Sequence, residues 1–172
     1  LRSDYIETFS PLCVEAGFQQ LLRDGCYYRQ AVYSVVPRDR AVGTATLATG
    51  TTPSNHGILG ERFLHRETLR PTVAVEDATV QGRGTTDRFS AASLLVTTLA
   101  DELKLATGGH AYVVSIAPQA TMAILSGGHA ADQAVWIDDR NGQWVTSSYY
   151  GELPLWADLR NTHQSIDRRL AA

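Results

Sequence analysis

Apolar positions Val14, Phe18, Leu21 and Leu22 recur at the spacing of one helical face, which predicts an amphipathic helix over 14–24 with Gly25 as its C-terminal stop. The run CYYRQAVYSVV over 26–36 is β-branched and aromatic, and predicts a long strand or a strand pair. Small residues then take over. GTATLATG, 43–50, predicts a short helix over about 41–49 that packs very close to a neighbour, because Ala and Thr leave little bulk. TTPSNHGI follows as a turn-rich return loop punctuated by Pro53 and Gly57. Residues 60–70 predict a short strand with a turn, and 77–92 a polar loop. SLLVTTLADELKLA, 93–106, carries the strongest helical pattern, with Ser93 as its start and Gly108-Gly109 as its stop. HAYVVSIA, 110–117, is continuously apolar and predicts a buried strand. A helix over 118–126 comes next, then a hairpin, AVWIDD-RNG-QWVTS, turning at Asn141-Gly142, then a helix over 152–170. Strands alternating with helices indicate an α/β sandwich, a central, mostly parallel sheet flanked by helices, in a single domain over 1–172.

Composition narrows this only slightly. A chain of 172 residues is large enough to bury roughly 70% of its unfolded surface. The net charge of -3 gives no general attraction to nucleic acid or to an anionic membrane, and no apolar run approaches the ~20 residues of a spanning helix. No secretory signal is visible, and Leu1 stands where a strand would just have ended, so the chain is expected to begin within a fold. Cys13 and Cys26 could pair, share an ion or remain thiols; buried free thiols are the favoured expectation, and neither fixes the redox compartment.

The stretch PRDRAVGTATLATGTTPSNHGILG, 37–60, is the most informative. A helix beginning near Arg40–Gly43 presents unpaired N–H groups that suit an anion. The segment resembles the alkaline phosphatase superfamily, in particular its bacterial phosphate-monoesterase and type I phosphodiesterase/nucleotide pyrophosphatase branch. That family reads Pro, two variable residues, a nucleophilic Thr, two more residues, then Gly-His-Ala-Thr-Ile-Tyr-Thr-Gly, followed by Pro-Ser-x-His-Gly-Ile. Pro37, Gly43, Ala45, Thr46, Thr49, Gly50, Pro53, Ser54, His56, Gly57 and Ile58 fall on this pattern without a gap. GFQQLLRDG (17–25), VEDATVQG (75–82), LADELKLATGG (99–109), AILSGGHAAD (123–132) and WIDDRNGQWVTSSYYGELPLW (136–156) extend the likeness over essentially the whole chain. The resemblance implies the N-terminal part of an alkaline-phosphatase-like fold.

It also implies a mechanism in which two metal ions, usually zinc, bind a Thr hydroxyl that attacks phosphorus. At the positions that would touch phosphate, this sequence departs from the family. Arg40 occupies the place of the nucleophilic Thr, and a guanidinium is neither a nucleophile nor a neighbour for divalent cations. Glu61 stands where an Asn donates to phosphate, and Ala92 where a basic residue is usual; Thr44 replaces a common His. Asp39 is expected to point away from the helix start, and Thr44 or Thr46 could serve as nucleophile only by a shift that breaks the other matches. Arg40 and Glu61 could instead pair across the cleft, or both face solvent. Arg38 and Arg40 could hold an anion without hydrolysing it.

Elsewhere the expectations are structural. His56 is read as a hydrogen-bonding partner of backbone, and His129 as structural, with a His129–Asp132 pair as the catalytic alternative. Trp136, Trp144, Trp156, Tyr149 and Tyr150 are read as sheet packing rather than a binding face.

Three readings follow. The first is a superfamily domain that has lost metal-dependent hydrolysis, needs no cofactor and binds an anionic ligand or a protein partner. The second is an active phosphatase or phosphodiesterase, with two zinc ions, completed by residues outside the chain. The third is a non-catalytic anion-binding module built on Arg38 and Arg40. Export to the periplasm or beyond is implied by the resemblance alone.

Overall fold

A computed structural model describes residues 3–32 and 39–163. The chain forms two units, Leu1–Ser34 and Val35–Ala172. In the first, α1 (Ser3–Phe9) runs into a 3-10 turn at Ser10–Leu12, and α2 spans only Gln20–Asp24. The helix expected over 14–24 is broken because Ala16 (ψ 26°) and Gly17 (φ -135°, ψ -121°) leave helical space. Gly17 supplies the freedom for that break. The Gln19 amide then ties the segment together, donating to Ser10 O at 3.1 Å and Cys13 O at 2.6 Å. The described part of the expected 26–36 strand, up to Val32, is not in a strand, and Tyr33–Val36 lie outside the described residues. The cysteines also differ from expectation: both are free, but Cys13 is only half-buried and Cys26 is exposed.

The second unit contains a four-stranded sheet in the order β3 (Gly82–Arg83), β6 (Gln143–Ser147), β5 (Gln133–Asp138), β4 (Val114–Ile116), and a separate antiparallel hairpin of β1 (Arg62–His65) and β2 (Arg70–Val73). The fold class is α/β, and the sheet is mixed. β4 and β5 run parallel through a crossover helix, α6 (Ala120–Gly127), whereas β5–β6 and β6–β3 are antiparallel. The Asn141-Gly142 turn accounts for this, since a tight hairpin can only reverse the chain. β5 and β6 register Trp136 opposite Val145 and Asp138 opposite Gln143.

The small-residue helix forms as expected, as α3 (Arg40–Thr49). Ala41 and Ala45 of α3 are fully buried in one cluster with Ala123 and Ile124 of α6, so the absence of bulk is what permits the close approach of the two helices. Ile58, Val75, Leu125, Trp136 and Val145 complete the centre of that core; each such side chain contributes about 1.5–3 kcal/mol on burial. The one-turn α4 (Pro53–His56) occupies the return loop. α5 is Leu99–Ala106, starting later than Ser93 because Thr98 and Asp101 form a reciprocal capping box. The Ser93 hydroxyl is used elsewhere, donating to Ala74 O. α7 (Leu155–Thr162) packs on β6, with Trp156 edge-on to Trp144 at 5.5 Å, so these aromatics pack the sheet as read from sequence.

β4 differs from expectation. It is three residues long, and Tyr112, Val114 and Ile116 are exposed. Its apolar run is continuous, yet among the described residues only one face and one edge are covered. No described helix is long and apolar enough to cross a membrane.

Candidate functional site

α3 begins where the sequence placed it, and Arg40 is its first residue. The arrangement around it turns on Asp39. Contrary to the expectation that its side chain points away, Asp39 caps the helix: Val42 N donates to Oδ1 at 3.1 Å. Its second oxygen accepts from Glu61 N at 2.6 Å. One carboxylate thus holds both the start of α3 and the residue before β1. Gly60 makes room for it, since a Cβ there would sit 3.2 Å from Asp39 Oδ2. Asp39 also supplies the negative charge that a helix start favours, and offsets the Arg40 cation beside it.

Arg40 and Glu61 are therefore neighbours through Asp39, but the ion pair between them does not form: both side chains lack any described ionic partner. Arg40 is exposed and Glu61 is half-buried. The geometric reason is the cap itself, which takes the backbone of Glu61 and leaves its carboxylate to face elsewhere. Ala92 is exposed in a turn that hangs from the same segment, through Glu61 O accepting from Ala74 N at 2.9 Å and Ala74 O accepting from Ser93 Oγ. Arg38 lies outside the described residues.

The Glu61 side chain lines a cavity of about 330 Å³. Its other walls come from the start of α6 (Gln119, Ala120, Thr121), the C-terminal end of β5, and Phe89. Its position follows the topology of the sheet: Gln119 follows β4 and Trp136–Asp138 ends β5, so the cavity opens at the carboxyl ends of the two parallel strands, where open α/β sheets place ligands. On one wall the Arg140 guanidinium reaches Asp138 Oδ2 at 2.7 Å, Asp87 Oδ2 at 2.9 Å and Thr86 Oγ1 at 2.7 Å. Arg140 holds the Asp138 carboxyl far below the usual carboxylate range. Sequence reading missed this cavity. Its signal was the strand–loop–helix passage SIAPQATMA, whose helix start carries polar Gln119 and Thr121 beside apolar neighbours.

Both histidines of interest make hydrogen bonds to nearby groups. His56 is fully buried; its Nδ1 accepts from Ile58 N at 3.1 Å, so Nε2–H faces Thr46 Oγ1 at 3.2 Å. Burial lowers its pKa. His129 does not pair with Asp132, whose carboxylate instead takes Lys104 Nζ at 2.6 Å and Val113 N at 2.7 Å. His129 faces Asp101 Oδ2 at 3.3 Å and Leu94 O at 2.9 Å. Buried Asp101 also accepts from Thr98 N and Ala130 N, and these bonds outweigh the burial that opposes its ionisation. Gly128, at φ 73°, lies so close to Thr98 and Asp101 that no side chain fits there.

Among the described residues no group of three or more His, Cys, Asp or Glu side chains gathers with the disposition of a metal site. With a permanent cation at position 40 as well, the described residues do not fit a dinuclear zinc centre.

Residues 1–170 match the family model described as type I phosphodiesterase/nucleotide pyrophosphatase. The chain is 34% identical over 177 residues to alkaline phosphatase PafA of Elizabethkingia meningoseptica, covering 100% of the chain and 32% of that protein. It is 33% identical over 168 residues to alkaline phosphatase PhoV of Synechococcus elongatus (95% and 30%). A Myroides odoratus protein named calcium-transporting ATPase is 35% identical over 172 residues (98% and 31%). The crystal structure of wild-type PafA superposes with a TM-score of 0.92 at 33% identity, over 99% of the chain and 34% of that structure. The chain spans about a third of the length of these relatives.

Proposed function

Because the chain belongs to the type I phosphodiesterase/nucleotide pyrophosphatase family of the alkaline phosphatase superfamily, we propose that it is a member that no longer hydrolyses phosphoesters and that serves as a binding or scaffold domain. The whole of 1–172 then contributes to one alkaline-phosphatase-like domain, in a protein exported to the periplasm or beyond. One observation carries this reading. Arg40, which the sequence pattern aligns with the family's nucleophilic Thr, is the first residue of α3 and is exposed, with no described ion-pair partner. Neither an attacking oxygen nor a place for divalent cations is offered there. Glu61 adds a carboxylate where phosphate would need a donor, and Ala92 removes a cation.

The test is metal analysis of the purified chain together with a chromogenic phosphate-ester assay. The expected result is no metal-dependent turnover. Two equivalents of zinc with turnover would support the second reading, an active phosphatase or phosphodiesterase; the names of the relatives favour it, and its remaining ligands would lie in sequence outside this chain. Arg40→Thr alone is expected to stay inactive, because Glu61 and Ala92 remain. Thermal stabilisation by sulfate or phosphate, lost in Arg40→Ala, would instead favour an anion-binding module at Arg38 and Arg40.

A further inference from the structure

β1 and β2 pair only with each other, apart from the four-stranded sheet, and every residue from Leu64 to Pro71 is exposed. The hairpin turns where Leu69 N donates to His65 O at 2.8 Å. Leu69 sits in that turn at φ 52°, in the left-handed region, and among the described residues no other non-glycine residue has a positive φ. Glycine adopts such a conformation freely, whereas a bulky side chain is strained in it. The Leu69 side chain is also 72% exposed, and Leu64, one register step behind the turn, is 57% exposed. Neither backbone geometry nor core packing accounts for a leucine at this apex. A residue held in a strained and solvated place points to a use outside folding.

Positive charge gathers around the same apex. Arg62, Arg66 and Arg70 are exposed, and among the described residues their guanidiniums make no ion pair. His65 is the register partner of Arg70, and Glu67 is the one carboxylate within 62–70. The chain as a whole carries a net charge of -3, so this cationic tip is a local exception. An anionic surface attracts the tip and repels the remainder, which fixes the orientation of approach. The apolar part of the patch is two side chains on a hairpin tip, far short of the roughly 800 Å² per partner of a stable protein interface. A lipid surface needs no matching groove, because it is anionic at the headgroups and apolar just beneath them.

We propose that the tip of the β1–β2 hairpin docks the chain on an anionic lipid surface. Leu69 and Leu64 enter the boundary between headgroups and acyl chains, and Arg66, Arg70 and Arg62 meet the headgroup phosphates. The strain at Leu69 places an apolar side chain at the one point of the hairpin that reaches the surface first. Arg40, Glu61 and Ala92 take no part, so the proposal stands or falls separately from the loss of hydrolysis.

The experiment is co-sedimentation of the full chain with phosphatidylcholine vesicles, with and without phosphatidylglycerol. Binding is expected to the phosphatidylglycerol vesicles alone and to weaken as salt is raised. Arg66→Gln and Arg70→Gln are each expected to weaken it about fivefold, the share of one basic residue near an anionic surface. Leu69→Gly is expected to weaken it several-fold while the Tm of the chain stays unchanged or rises, since glycine relaxes the turn. Leu103→Ser, in the apolar groove beside α5, is expected to leave binding unchanged. No binding to phosphatidylglycerol vesicles would overturn the proposal. So would binding that survives Leu69→Gly together with Leu64→Ser, which would mark electrostatic adsorption only, and so would loss of binding in Leu103→Ser. Displacement from the vesicles by soluble polyglutamate at matched charge would overturn it in favour of an acidic protein partner.

Discussion

Asp39 shows how much one side chain can organise. It satisfies an N–H of α3 through one oxygen and the Glu61 N–H through the other. Asp39→Ala removes both bonds and is expected to cost about 1–2 kcal/mol, the range for loss of a helix cap, with the bond to Glu61 pushing toward the upper end; denaturant titration would measure it. His56 works in the same way inside the core, accepting from Ile58 N as a neutral ring. Its pKa is lowered by burial in the folded chain, so below its ordinary value of 6.5 the unfolded chain binds the proton preferentially. Stability is therefore expected to decline as pH falls from about 6.5. His56→Gln, which keeps an acceptor and a donor, should flatten that part of a Tm–pH curve, even if it lowers the Tm throughout. A second decline should begin near pH 4, common to wild type and variant. Asp138, Asp132, Asp77 and Asp101 all have lowered pKa values, so the stability they provide is present above the ordinary carboxylate range and is lost as pH falls through their folded values.

At the scale of elements, sequence patterns succeeded where local chemistry decides the outcome. α3 was legible because glycine punctuation and small residues leave few alternatives, and the β5–β6 hairpin because Asn141-Gly142 specifies its turn. Patterns failed where distant partners decide. The helix expected to start at Ser93 begins at Leu99, because the Ser93 hydroxyl is taken by Ala74 O and the Thr98–Asp101 box caps better. The break at Gly17 was hidden beneath an intact apolar periodicity. Site legibility divides along the same line. Arg40 and Glu61 could be picked out by their chemical types, and Asp39 does bring them together. The cavity beside Glu61 could not be found, because it assembles the ends of a loop, a strand and a helix whose nearness is a property of topology. The His129 partner was missed for the same reason: Asp132 is near in sequence, but Asp101 is near in space.

For the molecule as a whole, the notable feature is an uncovered apolar face. Leu47 of α3, Leu99 and Leu103 of α5, and Tyr112 and Val114 at β4 surround a groove of about 660 Å³, and all five are exposed. Contiguous apolar surface of this kind binds hydrophobic dyes and promotes association. The 172-residue chain is expected to bind anilinonaphthalene sulfonate while its near-ultraviolet circular dichroism remains that of a folded protein, and Leu103→Lys should cut the fluorescence by at least half. Unchanged fluorescence would mean that the dye binds elsewhere. The relation between Asp39 and Arg40 has a last consequence. The fastener that joins helix and hairpin across 22 residues of chain belongs to position 39, while the side chain at position 40 has no ion-pair partner among the described residues. Exchange of the residue at the tip of this helix therefore carries little architectural risk.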